Sequence, residues 1–456
     1  MSIFTALTTK YGLEEAFRAK DCTTPAMRDA IQEWFTLYYD RKPTKESDPC
    51  QRIAYTVVNK LTKTCFGEYK AESKDEYAQK IIAALNDNKE DAMQMLLVGG
   101  EALLKPMPTA DGWTFNTIRR DSTLVFGRDV FGVPNNIGTI ERSAQGRYFY
   151  TLLERRSVDK YGRLTITNKL YRADTPDVLG RETSLQELEQ YAALAPQYTY
   201  PQPVGGLGLV HMRMPIENTV DGSSDGVSVY AAAVGLIHNI DRNEAQINGE
   251  FDRGQSKVFA SADLLRKGKD GKRHFDDDVF VGLDDSPEEV GVTIFSPELR
   301  VAAFHERKRE YLRNVETIIG IKRGLLSEVE AQERTAKEVT SSEGDYNLTI
   351  TALQEVWTKA VQDAVKLCGV LGKLYKVKGA HDVAEDAVIL DYGDGVLYNR
   401  EKVGQEMLAQ VQSGLLAPER YLGWYYELPC DTPEQRRKIR EDYMPEAAKM
   451  AEDGEE

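Results

Sequence analysis

Apolar positions recur with a helical period along the first hundred residues. Thr24-Pro25 reads as an N-cap with proline at the first helical position, opening AMRDAIQEWFTLYY. DEYAQKIIAALNDNKEDAMQMLLVGGEALL keeps the 3.6-residue period, and Gly99-Gly100 is the expected stop. From about Lys105 the texture changes. WTFNTIRRDSTLVFGRD and RYFYTLLERRSVDKYGRLTITNKLYRAD are rich in aromatic and β-branched residues, which predicts strands. Asp159-Lys160-Tyr161-Gly162 lies between two alternating runs and predicts a hairpin turn. Ser184 with Glu187 predicts a capping box opening a short helix, SLQELEQYAAL. The fold class expected is α+β.

The period turns helical again over 226–252, with Val229, Ala233, Leu236, Ile240, Ile247 and Phe251 on one stripe. Such a helix would be ~40 Å long. Residues 253–297 break the pattern with alternating basic and acidic clusters around the strand-like KVFAS, DVFVGL and GVTIF. Ser296-Pro297 then opens a second helix to about Gly320, ~35 Å long. Two matched helices flanking a small β insert predict an antiparallel hairpin with little core of its own. Its apolar stripe would have to be covered by neighbours, and identical subunits in a ring are one solution. The segment 321–347 is polar, with a small-polar cluster at Thr340-Ser341-Ser342. A third long helix follows, with Leu353, Val356, Trp357, Ala360, Ala364, Leu367, Leu371 and Leu374 on one face. AVILDYGDGVLY is strand-like, and two capped helices start at Pro418 and at Thr432-Pro433.

Charge and composition narrow the function. Over 456 residues, 58 Lys and Arg face 73 Asp and Glu, a net charge of −15. This disfavours a conventional basic nucleic-acid binder. The 41% apolar content is enough for a core. Five scattered cysteines with no CxxC suggest free thiols in a reducing compartment. The first residues, MSIFTALTTKYGLEEAF, lack a signal peptide's pattern, and no run is long and apolar enough to span a membrane. A protein made in the cytoplasm is expected.

Candidate chemistry is thin. Asp276-Asp277-Asp278 could hold a hard divalent cation for a metal-dependent nucleic-acid enzyme. Adjacent side chains on a strand point to opposite faces, so a solvated acidic loop is the better reading. Gly205-Gly206-Leu207-Gly208 leads into a strand-like run, whereas a dinucleotide loop opens a helix. Neither GxxxxGK[ST] nor HExxH occurs. No catalytic residue, cofactor or metal is assigned. Arg300, Arg307, Lys308, Arg309, Arg313, Lys322 and Arg323 outnumber Glu298, Glu306, Glu310 and Glu316 in and after the second helix. That pattern fits either a salt-bridged surface or intermittent phosphate contact.

Several segments, taken in order, resemble portal proteins of tailed bacteriophages, especially long-tailed phages of Gram-positive bacteria. They are LLVGGEALLKPM, YTLLERRSVDKYGRLTITNKLY, MPIENTVDGSSDGVSVYAAAVGLIHNID, ERTAKEVTSSEGDYNLTITALQ and LDYGDGVLYNREKVGQEMLAQVQSGLLAPERYLG. The resemblance implies a dodecameric ring at one capsid vertex, assembled in the host cytoplasm and carried in the virion. It implies passage of double-stranded DNA without sequence specificity. It implies docking of the terminase large subunit and of capsid, scaffolding and head-completion proteins. Carried onto this chain, 1–225 is the wing, 226–252 stem helix 1, 253–297 the clip and 298–320 stem helix 2. Residues 321–347 hold the tunnel loop, 348–376 the long wing helix and 377–456 the crown. Arg334, Lys337, Ser341 and Ser342 become candidate channel residues. Lys269, Lys272, Arg273, Asp276 and Asp277 become a clip docking surface. Val229, Ala233, Leu236, Ile240 and Ile247 become the stem assembly stripe. A non-portal oligomeric scaffold built on the same helices is the remaining alternative.

Overall fold

The computed structural model describes residues 10–39, 49–109, 112–176, 178–253, 257–260, 266–267, 273–274, 292–295, 299–327, 336–384, 387–393, 400–426, 428–430 and 432–444. The chain divides into two compact units, Met1–Asp391 and Tyr392–Glu456. The first opens with helices α1 (Lys10–Phe17), α2 (Pro25–Tyr39) and α3 (Ile53–Cys65), strand β1 (Lys70–Ser73), and helices α4 (Glu76–Asn86) and α5 (Lys89–Gly99). A strand-rich part follows: β2 (Glu101–Pro108), β3 (Trp113–Arg119), β4 (Thr123–Arg128), β5 (Pro134–Gln145), β6 (Tyr148–Val158), β7 (Leu164–Ala173), β8 (Arg181–Thr183), β9 (Gln197–Thr199) and β10 (Val210–Arg213). Then come α6 (Val234–Arg253), β11 (Lys257–Ala260), β12 (Arg266–Lys267), β13 (Arg273–His274), β14 (Val292–Phe295), α7 (Val301–Ile319), α8 (Ala336–Tyr375) and β15 (Val388–Asp391). The second unit contains α9 (Arg400–Gln412), α10 (Pro418–Tyr425) and α11 (Pro433–Tyr443). The α+β expectation holds.

The helical core forms because each helix has one apolar face. Thr24 caps α2 by accepting a hydrogen bond from the Met27 amide at 3.2 Å. The helix then buries Met27, Ile31, Trp34 and Phe35. The expected stripe on α8 is real. Leu353, Trp357, Ala360, Ala364, Leu367 and Leu371 are buried, while Val356 and Leu374 are half-buried. Trp357 meets Phe66 of the neighbouring segment edge-on at 5.4 Å. A fully buried side chain of this size contributes ~1.5–3 kcal/mol. The run from Asp75 is not one helix. It breaks at Asp87-Asn88, where Asn and Asp favour caps over helix interiors, and α5 restarts with Glu90 and Asp91 in its first turn. α5 stops at Gly100, with φ +74°, as expected.

β10, β2 and β3 form one antiparallel sheet, and β4-β5-β6-β7-β8 a second, with β9 also paired to β7. The Asp159 turn forms as expected between β6 and β7. Asp159 Oδ1 accepts from the Tyr161 amide at 2.8 Å and the Arg163 amide at 2.9 Å. The helix expected after Ser184 is instead two short 3-10 turns, 185–187 and 189–191. The Glu187 carboxylate, which a capping box requires, is used by Tyr150 at 3.1 Å and Arg172 at 2.5 Å.

One boundary moves. Residues 377–391 were expected in the C-terminal region, but β15 pairs with β1 and belongs to the first unit. The loop between α8 and β15 is tied to α4 through His381 Nε2 and Asp75 Oδ2, 2.6 Å apart. In the second unit α10 starts at Pro418 as expected, but Ala417 before it gives no side-chain cap, whereas Thr432 with Gln435 makes a complete capping box for α11. Among the described residues, no helix is long and apolar enough to cross a membrane.

Candidate functional site: a helical hairpin and its root

The pair α6 and α7 runs antiparallel, as two ion pairs show. Glu244 accepts from Lys308 Nζ at 2.6 Å, and Glu250 accepts from Arg300 Nε and Nη2, both at 3.0 Å. With 20 and 19 residues the helices are ~30 and ~28 Å long. Burial is graded along them. Ala233 just before α6, Ile237 and Ile240 in its first turns, and Val315, Glu316 and Ile319 at the end of α7 are buried. At the other end, Phe251 is 50% and Leu299 40% exposed. β11 leaves the end of α6 and β14 leads into α7, paired antiparallel from Lys257↔Phe295 to Ala260↔Val292. KVFAS and GVTIF therefore do form strands. DVFVGL lies outside the described residues.

The root is set by the body. The expected helix over 226–252 begins only at Val234, after a 3-10 turn at 231–233. Tertiary bonds claim the preceding residues. The Val229 amide and Ser228 Oγ both donate to the Leu97 carbonyl, at 2.9 and 3.0 Å, and so satisfy a free carbonyl at the end of α5. Tyr230 Oη donates to the Trp34 carbonyl at 2.8 Å. Gly226 crosses Gly100 so closely that a Cβ on Gly100 would lie 2.4 Å from its backbone. Val229, Ala233, Ile240 and Ile247 are buried within the single chain, and Leu236 is half-buried. The stripe's root is covered by its own body.

Beside Gly226 lies a buried ionic cluster. Arg128 Nη2 meets Glu101 Oε2 at 3.0 Å and Asp225 Oδ1 at 2.5 Å. Arg120 reaches the same carboxylates at 3.4 and 3.2 Å. Burial works to raise the Glu101 pKa. His211 and the charges of Arg120 and Arg128 outweigh it and hold the carboxyl well below its usual range. The cluster joins β2, β4 and the approach to α6. Sequence reasoning missed it, because its members are remote along the chain and each reads as a surface charge.

A second cage closes the root at α7. The Glu316 carboxylate accepts from the amides of Gly324, Leu326 and Ser327 at 3.1, 2.6 and 2.9 Å, and from Ser327 Oγ at 2.8 Å. Glu316 is thus a structural anchor rather than part of the surface charge balance. Lys308, Arg300 and Arg307, the last with Glu310 at 2.5 Å, are paired to carboxylates. Arg313 and Arg323 are exposed. Pairs at a surface contribute only ~0–1 kcal/mol to stability.

The other expected site residues are placed as follows. Lys269, Lys272, Asp276, Asp277 and Arg334 lie outside the described residues. Arg273 sits in β13, its backbone paired with Lys267. Lys337, Ser341 and Ser342 fall in α8, which begins at Ala336, so the loop expected over 321–347 does not extend that far. Ala, Lys and Glu at 336–338 are good helix formers, and polarity there marks the lack of an apolar face rather than a break. Gly205-Gly206-Leu207-Gly208 precedes β10 and opens no helix. Among the described residues, no three His, Cys, Asp or Glu side chains gather as metal ligands.

No family model matches the chain. No curated protein matches it either. Among solved structures, the chain is similar to one in the neck of an empty GTA (gene transfer agent) particle computed with C6 symmetry. That likeness has 14% identity and TM-score 0.49 over 92% of this chain and 99% of that one. It is also similar to one in the neck of a native GTA particle computed with C12 symmetry, at 14% identity and TM-score 0.48 over the same shares. Identity at this level transfers no residue role.

Proposed function

We propose that copies of this chain close into a portal-type ring at a capsid vertex, a conduit for duplex DNA with no catalytic step of its own. The observation that carries the reading is the graded hairpin. α6 and α7 are fixed at one end by the body and lose burial towards the other, where a β ribbon continues them. Such a rod leaves apolar groups such as Phe251 and Leu299 for a neighbour to cover. The ordered resemblance of segments along the chain supports the same reading. A dodecamer is the proposed state. The terminase large subunit, capsid, scaffolding and head-completion proteins are the proposed partners, with the virion as the proposed location.

The charge balance supports a conduit. Each phosphate neutralised releases counterions and tightens binding, so a mostly acidic subunit with Arg300, Arg307 and Lys308 of the hairpin already paired would grip DNA weakly. The channel role proposed for Arg334, Lys337, Ser341 and Ser342 belongs to this reading.

Mass photometry and negative-stain electron microscopy of the purified full chain test it. Rings with a central channel wide enough for a duplex are expected. Single chains under every condition would sink the reading. Closed assemblies with no such channel would favour a non-portal scaffold. Strong saturable retention of duplex DNA at low salt would count against a low-grip wall.

A further inference from the structure

The loop that joins α8 to β15 lies against the end of α8 and the start of α4, and α8 gives it room. A Cβ on Gly372 would lie 2.7 Å from Ala380 Cβ, and one on Gly369 would lie 3.0 Å from the His381 carbonyl oxygen. Within this loop the His381 ring meets an acceptor at each nitrogen. Nδ1 is 2.8 Å from the Gly379 carbonyl oxygen, and Nε2 is 2.6 Å from Asp75 Oδ2. Neither acceptor has a proton to give. A carbonyl has none, and the Asp75 carboxylate also caps α4, its Oδ1 accepting from the Tyr77 and Ala78 amides, both at 2.9 Å. The Ala78 amide first, and then His381, hold that carboxyl below its usual range.

A neutral imidazole carries one N–H and an imidazolium two. Both bonds therefore form together only when His381 is protonated. Among the described residues, the titratable groups around the ring are Asp75 and Tyr77 of the α4 start, the Tyr77 ring centre 5.4 Å away, and Asp382 of its own loop, which pairs with Lys373 of α8. Asp75 first, and then the Gly379 carbonyl, raise the His381 pKa above its ordinary 6.5. We propose that His381 is a proton-operated clasp, which when charged holds the loop before β15 on α4 and when neutral lets it lift. The strand next to it, β15, is the last element of the first unit before the chain enters the second. Ser73 Oγ donates to the Ala387 carbonyl at 2.6 Å and keeps that strand on β1, so the loosening falls on 376–384. A group whose pKa is raised on folding contributes fully below pH 6.5 and loses its contribution as pH rises through the raised value. The clasp stands apart from the ring reading and needs no second copy.

Two measurements on the full chain test it. Slow deuterium exchange at the imidazole Cε1, read by mass spectrometry on the peptide holding His381, gives the titration midpoint. A midpoint above 6.5 is expected. Asp75→Asn should lower it while leaving α4 capped, since asparagine caps as well as aspartate. Trypsin access to the exposed Lys376 and Lys378 reports on the loop. Corrected with a short reporter peptide for the protease's own pH dependence, cleavage there should be at least about threefold faster near pH 8.5 than near pH 6, on either side of histidine titration. In His381→Gln the two corrected rates should be equal, because glutamine does not titrate. A midpoint at or below 6.5, a corrected rate that does not change with pH, or a change that His381→Gln retains would each overturn the clasp and leave the ring reading standing.

Discussion

Two turns at the same end of one sheet share a backbone plan and differ in what they display. Asp129-Val130-Phe131-Gly132-Val133 joins β4 to β5, and Asp159-Lys160-Tyr161-Gly162-Arg163 joins β6 to β7. In each, the aspartate carboxylate accepts from the second and fourth amides that follow, and the glycine has φ near +80°. The second turn dresses its ring. Lys160 lies 5.0 Å and Arg163 5.4 Å from the centre of Tyr161. The first leaves Val130 and Phe131 bare. Each hairpin also has a buried carboxylate near its base, Glu101 for the first and Glu154 for the second. Identical turn chemistry therefore does not fix what a turn displays.

The arginines should separate the two most sharply. Arg128→Met strands Glu101 and Asp225 beside a single remaining arginine, and a loss of about 3–5 kcal/mol is expected in chemical denaturation. Arg163→Met removes a partly exposed pair and should stay within about 0.5 kcal/mol. Similar costs for both would break the contrast between a buried and a partly exposed arginine.

Acid comes next in size. Burial acts to raise the Glu154 pKa, but Arg156 and Lys105 hold it down to about 2, from 4.5. A depressed carboxylate contributes its full stabilisation above pH 4.5 and loses it as pH falls towards 2. Roughly 2–3 kcal/mol should disappear across that window. Glu154→Gln should be less stable at neutral pH and should show a flatter loss between pH 4.5 and 2. An unchanged slope would mean that Glu154 is not the group being protonated.

The glycines give a smaller, graded effect. Gly132→Ala and Gly162→Ala each force a side chain into the left-handed region, at about 1–2 kcal/mol. A Cβ at 132 would also lie 2.7 Å from Ser224 Cβ, whereas one at 162 would meet Pro203 at an ordinary 3.5 Å. Gly132→Ala should therefore melt lower than Gly162→Ala, and the reverse order would show that the first turn can shift.

These contrasts mark what was legible in the sequence. Local signals read well: the Thr24 and Thr432 caps, the α8 stripe and the Asp159 turn each depend on residues within a few positions of one another. Asp129 and Gly132 repeat the spacing of Asp159 and Gly162, so the first turn's signal was present at the end of the strand-like run that closes on Asp129. Long-range claims on the backbone were not legible. Nothing near Ser228 announces that Leu97 needs a donor, so a helical period over 226–230 gave way to tertiary bonding. The hairpin α6–α7 was foreseen, but its cover was not. Ile240 is fully buried in its own chain, so Ile240→Asp would unfold the subunit rather than report on assembly.

The cage around Glu316 has a mechanical consequence. Four donors converge on one carboxylate where the rod ends, and Thr349 Oγ1 of α8 donates to the adjoining Gly320 carbonyl at 3.1 Å. Bonds to a charged group contribute ~1.5–3 kcal/mol each, so the joint resists bending far more than a plain loop would. A push on the free end of the rod is delivered to the long helix as a tilt of the whole lever, not absorbed at a hinge.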